Sequence, residues 1–159
     1  MNNFEINDNK EIKEFLNGLF TEEIYDSFYL FSLKLDSAVS YDIDGKINKE
    51  FYNEEEFNEL SEKEYICWRD IKKTILGFMK DGKLPVKMKL ILMFNKDNVN
   101  RLIEMNNIPI HPDNVRALFM NVIYSDNRLS ITTGTSLNVF TMDKTLEELW
   151  DKTVEKYYI

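Results

Sequence analysis

Cysteine and histidine each occur once in this 159-residue chain, as Cys67 and His111. One cysteine cannot close a disulfide within the chain, and its apolar neighbours Ile66 and Trp68 predict a buried thiol, kept reduced in a cytoplasm. One imidazole and one thiol exclude zinc sites built from several His or Cys ligands, iron–sulfur clusters and two-histidine metal motifs within one chain. Carboxylates are the only abundant metal ligands left. Glycine and proline are scarce, five and three, which argues against a low-complexity or disordered chain. No run approaches 18 uncharged apolar residues, and the first residues have no basic segment leading into an apolar one. The expectation is a soluble cytoplasmic protein without a membrane segment.

What the chain does have is material for a core. Hydrophobic residues make up 43% and aromatics 13%, with 11 Phe and 8 Tyr. A chain this long buries roughly 70% of the surface its unfolded form exposes, so one globular domain over residues 1–159 is expected. The net charge of −8 is unevenly spread. Residues 1–66 hold 17 acidic and 6 basic side chains, whereas 67–159 hold 11 and 14, so the chain is electrically two-ended.

Periodicity sets out the elements. Ile12, Phe15, Leu16 and Leu19 recur at helical spacing behind Asp8, predicting a first helix over about Lys10 to Asn17. From Tyr29 to Ile43 the odd positions are mostly apolar, which reads as one long bent strand or two short ones with the odd residues facing inward. Asn53 to Glu64, with six glutamates, reads as a solvated loop or short helix. Trp68, Ile71, Ile75, Phe78 and Met79 form the stripe of a helix running to about Lys80 and stopping at Asp81-Gly82. A strand follows over Val86 to Phe94, then a short helix over Asp97 to Met105. A hairpin over Ala117–Tyr124 and Leu129–Thr141 turns at Ser125-Asp126-Asn127. Thr145-x-x-Glu148 reads as a capping box opening a last helix along Leu146, Leu149, Trp150, Thr153 and Tyr157. The order predicts an α+β fold: a single antiparallel twisted sheet of about five or six strands with helices packed mainly on one face.

One stretch imitates a metal loop. Asp42-Ile43-Asp44-Gly45-Lys46-Ile47-Asn48 matches the middle of an EF-hand, but Ser40 stands at the first ligand position and Phe51 at the last, where a bidentate carboxylate is required. The preceding residues also have a strand's period where an EF-hand needs a helix. Asp44-Gly45 therefore reads as a two-residue hairpin turn, and no metal or cofactor is expected.

Three further features are candidate chemistry. Thr132-Thr133-Gly134-Thr135-Ser136 could cradle an anion, although it lacks the lysine and spacing of a phosphate loop; the plainer reading is an exposed strand face with a bulge at Gly134. His111, with Asp113 nearby and Thr135 or Ser136 as nucleophile, is the only set from which a hydrolase could be built, and nothing in the sequence joins its members. Arg69, Lys72, Lys73 and Lys80 share a helix face, and with Lys83, Lys87 and Lys89 they give residues 69–89 a charge of +5. Such a patch could contact phosphates or an acidic partner, or it could be a solvated face balancing the acidic first half.

The landmarks Tyr41-Asp42-Ile43-Asp44-Gly45-Lys46-Ile47-Asn48-Lys49-Glu50-Phe51-Tyr52, Trp68-Arg69 and Thr133-Gly134-Thr135-Ser136 before the Trp150 helix carry a resemblance over nearly the whole chain. The sequence resembles an uncharacterised, chiefly clostridial bacterial family catalogued as a domain of unknown function (DUF5721-like). The resemblance implies a stand-alone cytoplasmic domain with no assigned activity and carries no catalytic residue over. The leading expectation is a non-enzymatic protein-interaction module, with a homodimer or an unknown protein as partner. A binder of nucleic acid or a small phosphate compound is the alternative, with nucleic acid disfavoured by the overall negative charge, and a small hydrolase-type enzyme stands third.

Overall fold

Among the described residues six antiparallel strands form one open sheet in the order β1-β6-β5-β4-β2-β3. The computed structural model describes residues 2–60, 63–79 and 83–158. The strands are β1 (Asn3–Ile6), β2 (Tyr29–Asp36), β3 (Ser40–Asp44), β4 (Lys87–Met93), β5 (Val115–Ser125) and β6 (Arg128–Leu137). Among the described residues the α-helices are α1 (Asn9–Thr21), α2 (Glu54–Glu59), α3 (Trp68–Leu76), α4 (Lys96–Met105) and α5 (Thr145–Tyr158). The α+β class and the single sheet are as the periodicity predicted.

Alternation divides the sheet into two unlike faces. Leu33 and Leu35 on β2, Met88, Leu90 and Leu92 on β4, Leu118, Met120 and Val122 on β5, and Leu129 and Ile131 on β6 are fully buried or nearly so. They join one hydrophobic cluster with Ile12, Leu16 and Leu19 of α1, Trp68 and Ile75 of α3, Val99 and Ile103 of α4, and Leu146, Trp150 and Val154 of α5. Four helices therefore cover one face, because only there do their apolar stripes find strand residues that alternate inward. Both indole N–H groups are satisfied inside the core: Trp68 Nε1 donates to the Leu19 carbonyl (2.7 Å) and Trp150 Nε1 to the Phe119 carbonyl (2.8 Å).

Several elements differ from their predicted form. β1 was not expected; its four residues are too few to show a period, and it forms because β6 offers a partner from Leu129 to Thr132. The helix α1 extends beyond Asn17 to Thr21, and Gly18 is buried within it. The first hairpin reverses at Ser37-Ala38-Val39, where the Ser37 N–H donates to the Val39 carbonyl (3.0 Å), and not at Asp44-Gly45. Gly45 serves another purpose: its N–H donates to the Phe31 carbonyl, and a β-carbon there would lie 1.9 Å from the Leu30 carbonyl oxygen. Close backbone approach, not positive φ, demands glycine at this position.

A register shift between Leu30 and Ser32 resets the pleat of β2. Leu30 is buried, Phe31 is not, and the odd-inward pattern holds only from Leu33 onward. At β5–β6 the predicted turn is present: Asp126 and Asn127 have φ of 52° and 62°, the paired left-handed conformation of a two-residue hairpin turn. The expected bulge at Gly134 is absent, since Phe119 pairs with Gly134 in continuous register; the shift lies between Val115 and Ala117. The strand β6 ends at Leu137 and not at Thr141. Asp143, rather than a box from Thr145 to Glu148, accepts the Thr145 N–H at the start of α5 (2.9 Å). The α3 helix ends at Leu76, and the predicted stop at Asp81-Gly82 lies outside the described residues.

Candidate functional site

The helices α1, α3, α4 and α5 join the core on the first face of the sheet, and the strand registers place the residues of the second face in rows. One row runs Asp42, Lys34, Lys89, Ile123, Ser130 and Glu5 across all six strands. The next runs Asp44, Ser32, Ile91, Asn121, Thr132 and Asn3, and beyond it Met93, Phe119 and Gly134 stand side by side. On the other flank lie Asp36, Lys87, Ser125 and Arg128. Lys34, Lys87, Lys89, Ile123 and Arg128 are exposed, while Ile91, Phe119 and Thr132 are half-buried.

Two properties set this face apart from an ordinary solvated surface. Lys34 and Lys89 are direct cross-strand partners, a like-charge pairing that disfavours the sheet unless something external offsets it. Asp42 is the other register partner of Lys34, and Asp36 that of Lys87, yet among the ion pairs of the described residues none joins either carboxylate to these lysines. Beside the lysines is an aromatic cluster. The shifted Phe31 stacks on Tyr65 (5.5 Å between ring centroids) and meets the edge of Phe119 (5.4 Å).

The candidate residues distribute unevenly over this geometry. Lys87 and Lys89 lie on the bare face, and so do Thr132, Gly134 and Ser136, so two sets far apart in sequence share one surface. Thr132 accepts from Asn121 Nδ2 (3.2 Å). Thr133 points the other way: it is buried, donates to Asp151 and accepts the Asn2 N–H, tying α5 and the first residues to β6. The five hydroxyl-run residues therefore do not form one cradle, because alternation sends neighbours to opposite faces.

Lys72 leaves the basic patch altogether. It is 6% exposed, ion-paired with Asp26 and donating to the Glu22 carbonyl (2.7 Å), so it anchors α3 to the end of α1 instead of facing a ligand. Arg69 and Lys73 remain exposed on α3, with Arg69 beside Asp70 (3.8 Å). Lys80 lies outside the described residues.

A separate cleft of about 340 Å³ lies between the 108–114 loop, the end of β6 and the start of α5. His111 and Thr135 both line it, with Asn114, Asp143, Lys144 and Glu147, and Phe140, 93% exposed, stands at its mouth. The set does not assemble a nucleophile and base. His111 Nδ1 accepts the Asp113 N–H (3.1 Å), both side chains are open to solvent, and no hydrogen bond joins His111 to Thr135 or Ser136. Two carboxylates in the cleft, one of them paired with Lys144 (3.5 Å), make it a poor anion site.

The perturbed phenols lie toward the core. Burial, then the neighbouring Tyr157, pushes Tyr25 well above the ordinary tyrosine range, and its hydroxyl donates to the Tyr157 carbonyl (3.0 Å). Burial, followed by Cys67 and Asp97, raises Tyr29. Among the described residues no three His, Cys, Asp or Glu side chains gather to hold a metal ion, and Asp44 Oδ1 instead accepts the Lys46 N–H (2.9 Å). Among those residues, too, no helix is long and apolar enough to cross a membrane.

The class defined by this geometry is an open-faced α+β sheet protein with a lysine and aromatic surface. Residues 18–159 match the model of a family of unknown function (DUF5721), and the chain belongs to that family. No curated protein and no solved structure matches it.

Proposed function

We propose that the protein is a non-enzymatic interaction module whose working surface is the bare face of the sheet. The observation that supports this most directly is the pairing of Lys34 with Lys89 beside Ile91, Ile123 and the Phe31–Phe119 cluster, on the face opposite the core helices. Ile91, Ile123 and the aromatic cluster give an interface its burial, and the lysines give it orientation and charge selection. Affinity purification from native lysate tests it, comparing wild type with an Ile91→Glu/Ile123→Glu variant whose melting confirms the fold. Partners, including untagged copies of the chain, are expected with wild type and lost with the variant; equal recovery from both overturns the reading.

An anionic ligand on the same face is the second reading, favoured by the convergence of Lys87 and Lys89 with Thr132 and Ser136. Salt-sensitive binding of single-stranded RNA that Lys87→Ala/Lys89→Ala weakens is its signature.

A further inference from the structure

An arm rises from the fold between β3 and α3. At its base it is tied to the fold by the Ile47 N–H to Glu64 carbonyl bond (2.8 Å) and the Ile66 N–H to Gly45 carbonyl bond (2.9 Å). Between them, from Asn48 to Glu59, no residue is buried. The arm is nevertheless built. Asn53 and Glu56 form a reciprocal capping box at the start of α2, Lys49 sits over the Phe57 ring (5.7 Å), and Phe51 meets Tyr52 edge-on (5.3 Å). It carries Glu50, Glu54, Glu55, Glu56 and Glu59, and it leaves Phe51 82% and Phe57 44% exposed.

Acidic side chains interleaved with exposed phenylalanines are the complement of a face on which lysines flank Ile91, Ile123 and Phe119. We propose that the acidic arm of one copy docks on the bare sheet face of a second copy, so that the protein is a reciprocal dimer. This rests on the bare face being the interaction surface and names the partner. The arm's glutamates lie over Lys34, Lys87 and Lys89 of the other copy, offsetting the like-charge pair that the sheet leaves open. Phe51 and Phe57 cover its isoleucines. Two such contacts related by a two-fold axis close the assembly. A second copy fits better than a polyphosphate, because the aromatics of the face are packed on one another rather than presented flat, and because the arm brings Phe51 and Phe57 to exposed Ile123 and half-buried Ile91.

Sedimentation velocity over a concentration and salt series tests the proposal, with circular dichroism melts confirming the fold of every variant. Wild type is expected to dimerise and to dissociate as salt rises, since exposed charges are screened beyond roughly 10 Å at 0.1 M. Lys34→Glu/Lys89→Glu and, separately, Glu54→Lys/Glu55→Lys should each weaken self-association roughly tenfold or more. Mixing the two should restore a heterodimer, because both of its contacts then pair opposite charges. A dimer indifferent to both reversals, or a mixture that stays monomeric when each variant alone is monomeric, overturns the proposal. A monomeric wild type that still captures other proteins through Ile91 and Ile123 overturns only the identity of the partner. A monomeric wild type that captures nothing overturns the interaction reading as well.

Discussion

Leu90 and Ile91 are consecutive on β4, and their side chains belong to different regimes. Leu90 enters a core closed by four helices, whereas Ile91 lies half-exposed between Ser32 and Asn121 on the opposite face, where Tyr65 stacks on Phe31 at one end. The covered face is specified by the chain itself, with leucines opposite leucines and both tryptophan N–H groups satisfied. The bare face breaks the usual pairing rule at Lys34 and Lys89. Natural sequences tolerate such local conflicts where something other than folding is being served.

The largest expected effect is on the covered side. Leu90→Ala should cost about 2–5 kcal/mol in urea unfolding, the transfer and cavity terms together, and should leave association per folded molecule unchanged. Gly45→Ala, whose β-carbon would strike the Leu30 carbonyl, should cost about 3 kcal/mol and shift the amide resonances of the first hairpin. Ile91→Ala should cost only about 1 kcal/mol of stability while weakening self-association; a loss as large as that of Leu90→Ala would erase the distinction between the faces.

The alkaline limb of stability reports on the covered side. The fold raises the Tyr25 pKa above its ordinary 10.0, so the phenol binds its proton more tightly folded than unfolded. Stability is then full below pH of about 10 and falls as pH rises beyond it, and Tyr25→Phe should flatten that fall in pH-dependent melts. The smallest effect is the most discriminating. Lys89→Glu, opposite Lys34, should stabilise the isolated chain by about 0.2–1 kcal/mol in thermal melts while impairing the dimer.

Local signals were legible where local chemistry decides the outcome. Asp126-Asn127 marked its turn because both residues tolerate positive φ, and the alternation of β4 marked its buried face because no bulge interrupts it. What escaped depends on partners remote in sequence. Lys72 looks like a surface cation by helical spacing, and only Asp26 and the Glu22 carbonyl make it a buried one. The Ser37-Ala38-Val39 reversal has no glycine or asparagine to advertise it, while Asp44-Gly45 has the letters of a turn for a different reason. Of the candidate site, Lys87, Lys89, Thr132, Gly134 and Ser136 could be named individually, but their common face emerged only from strand order, and Lys34 joined them only through the β2–β4 pairing.

The strand order also carries a kinetic consequence. The β5–β6 hairpin needs only a two-residue closure, whereas β1 must bring Asn3 to Thr132 across most of the chain. Loop-closure entropy makes that contact a late one in folding, and its four residues make it an early one to fray. Each opening of β1 bares the backbone donors and acceptors of β6 from Leu129 to Thr132, a ready template for another strand. Hydrogen exchange should find these amides the least protected in the central hairpin, and the tie from the Asn2 N–H to Thr133 becomes a latch that keeps another strand off this edge.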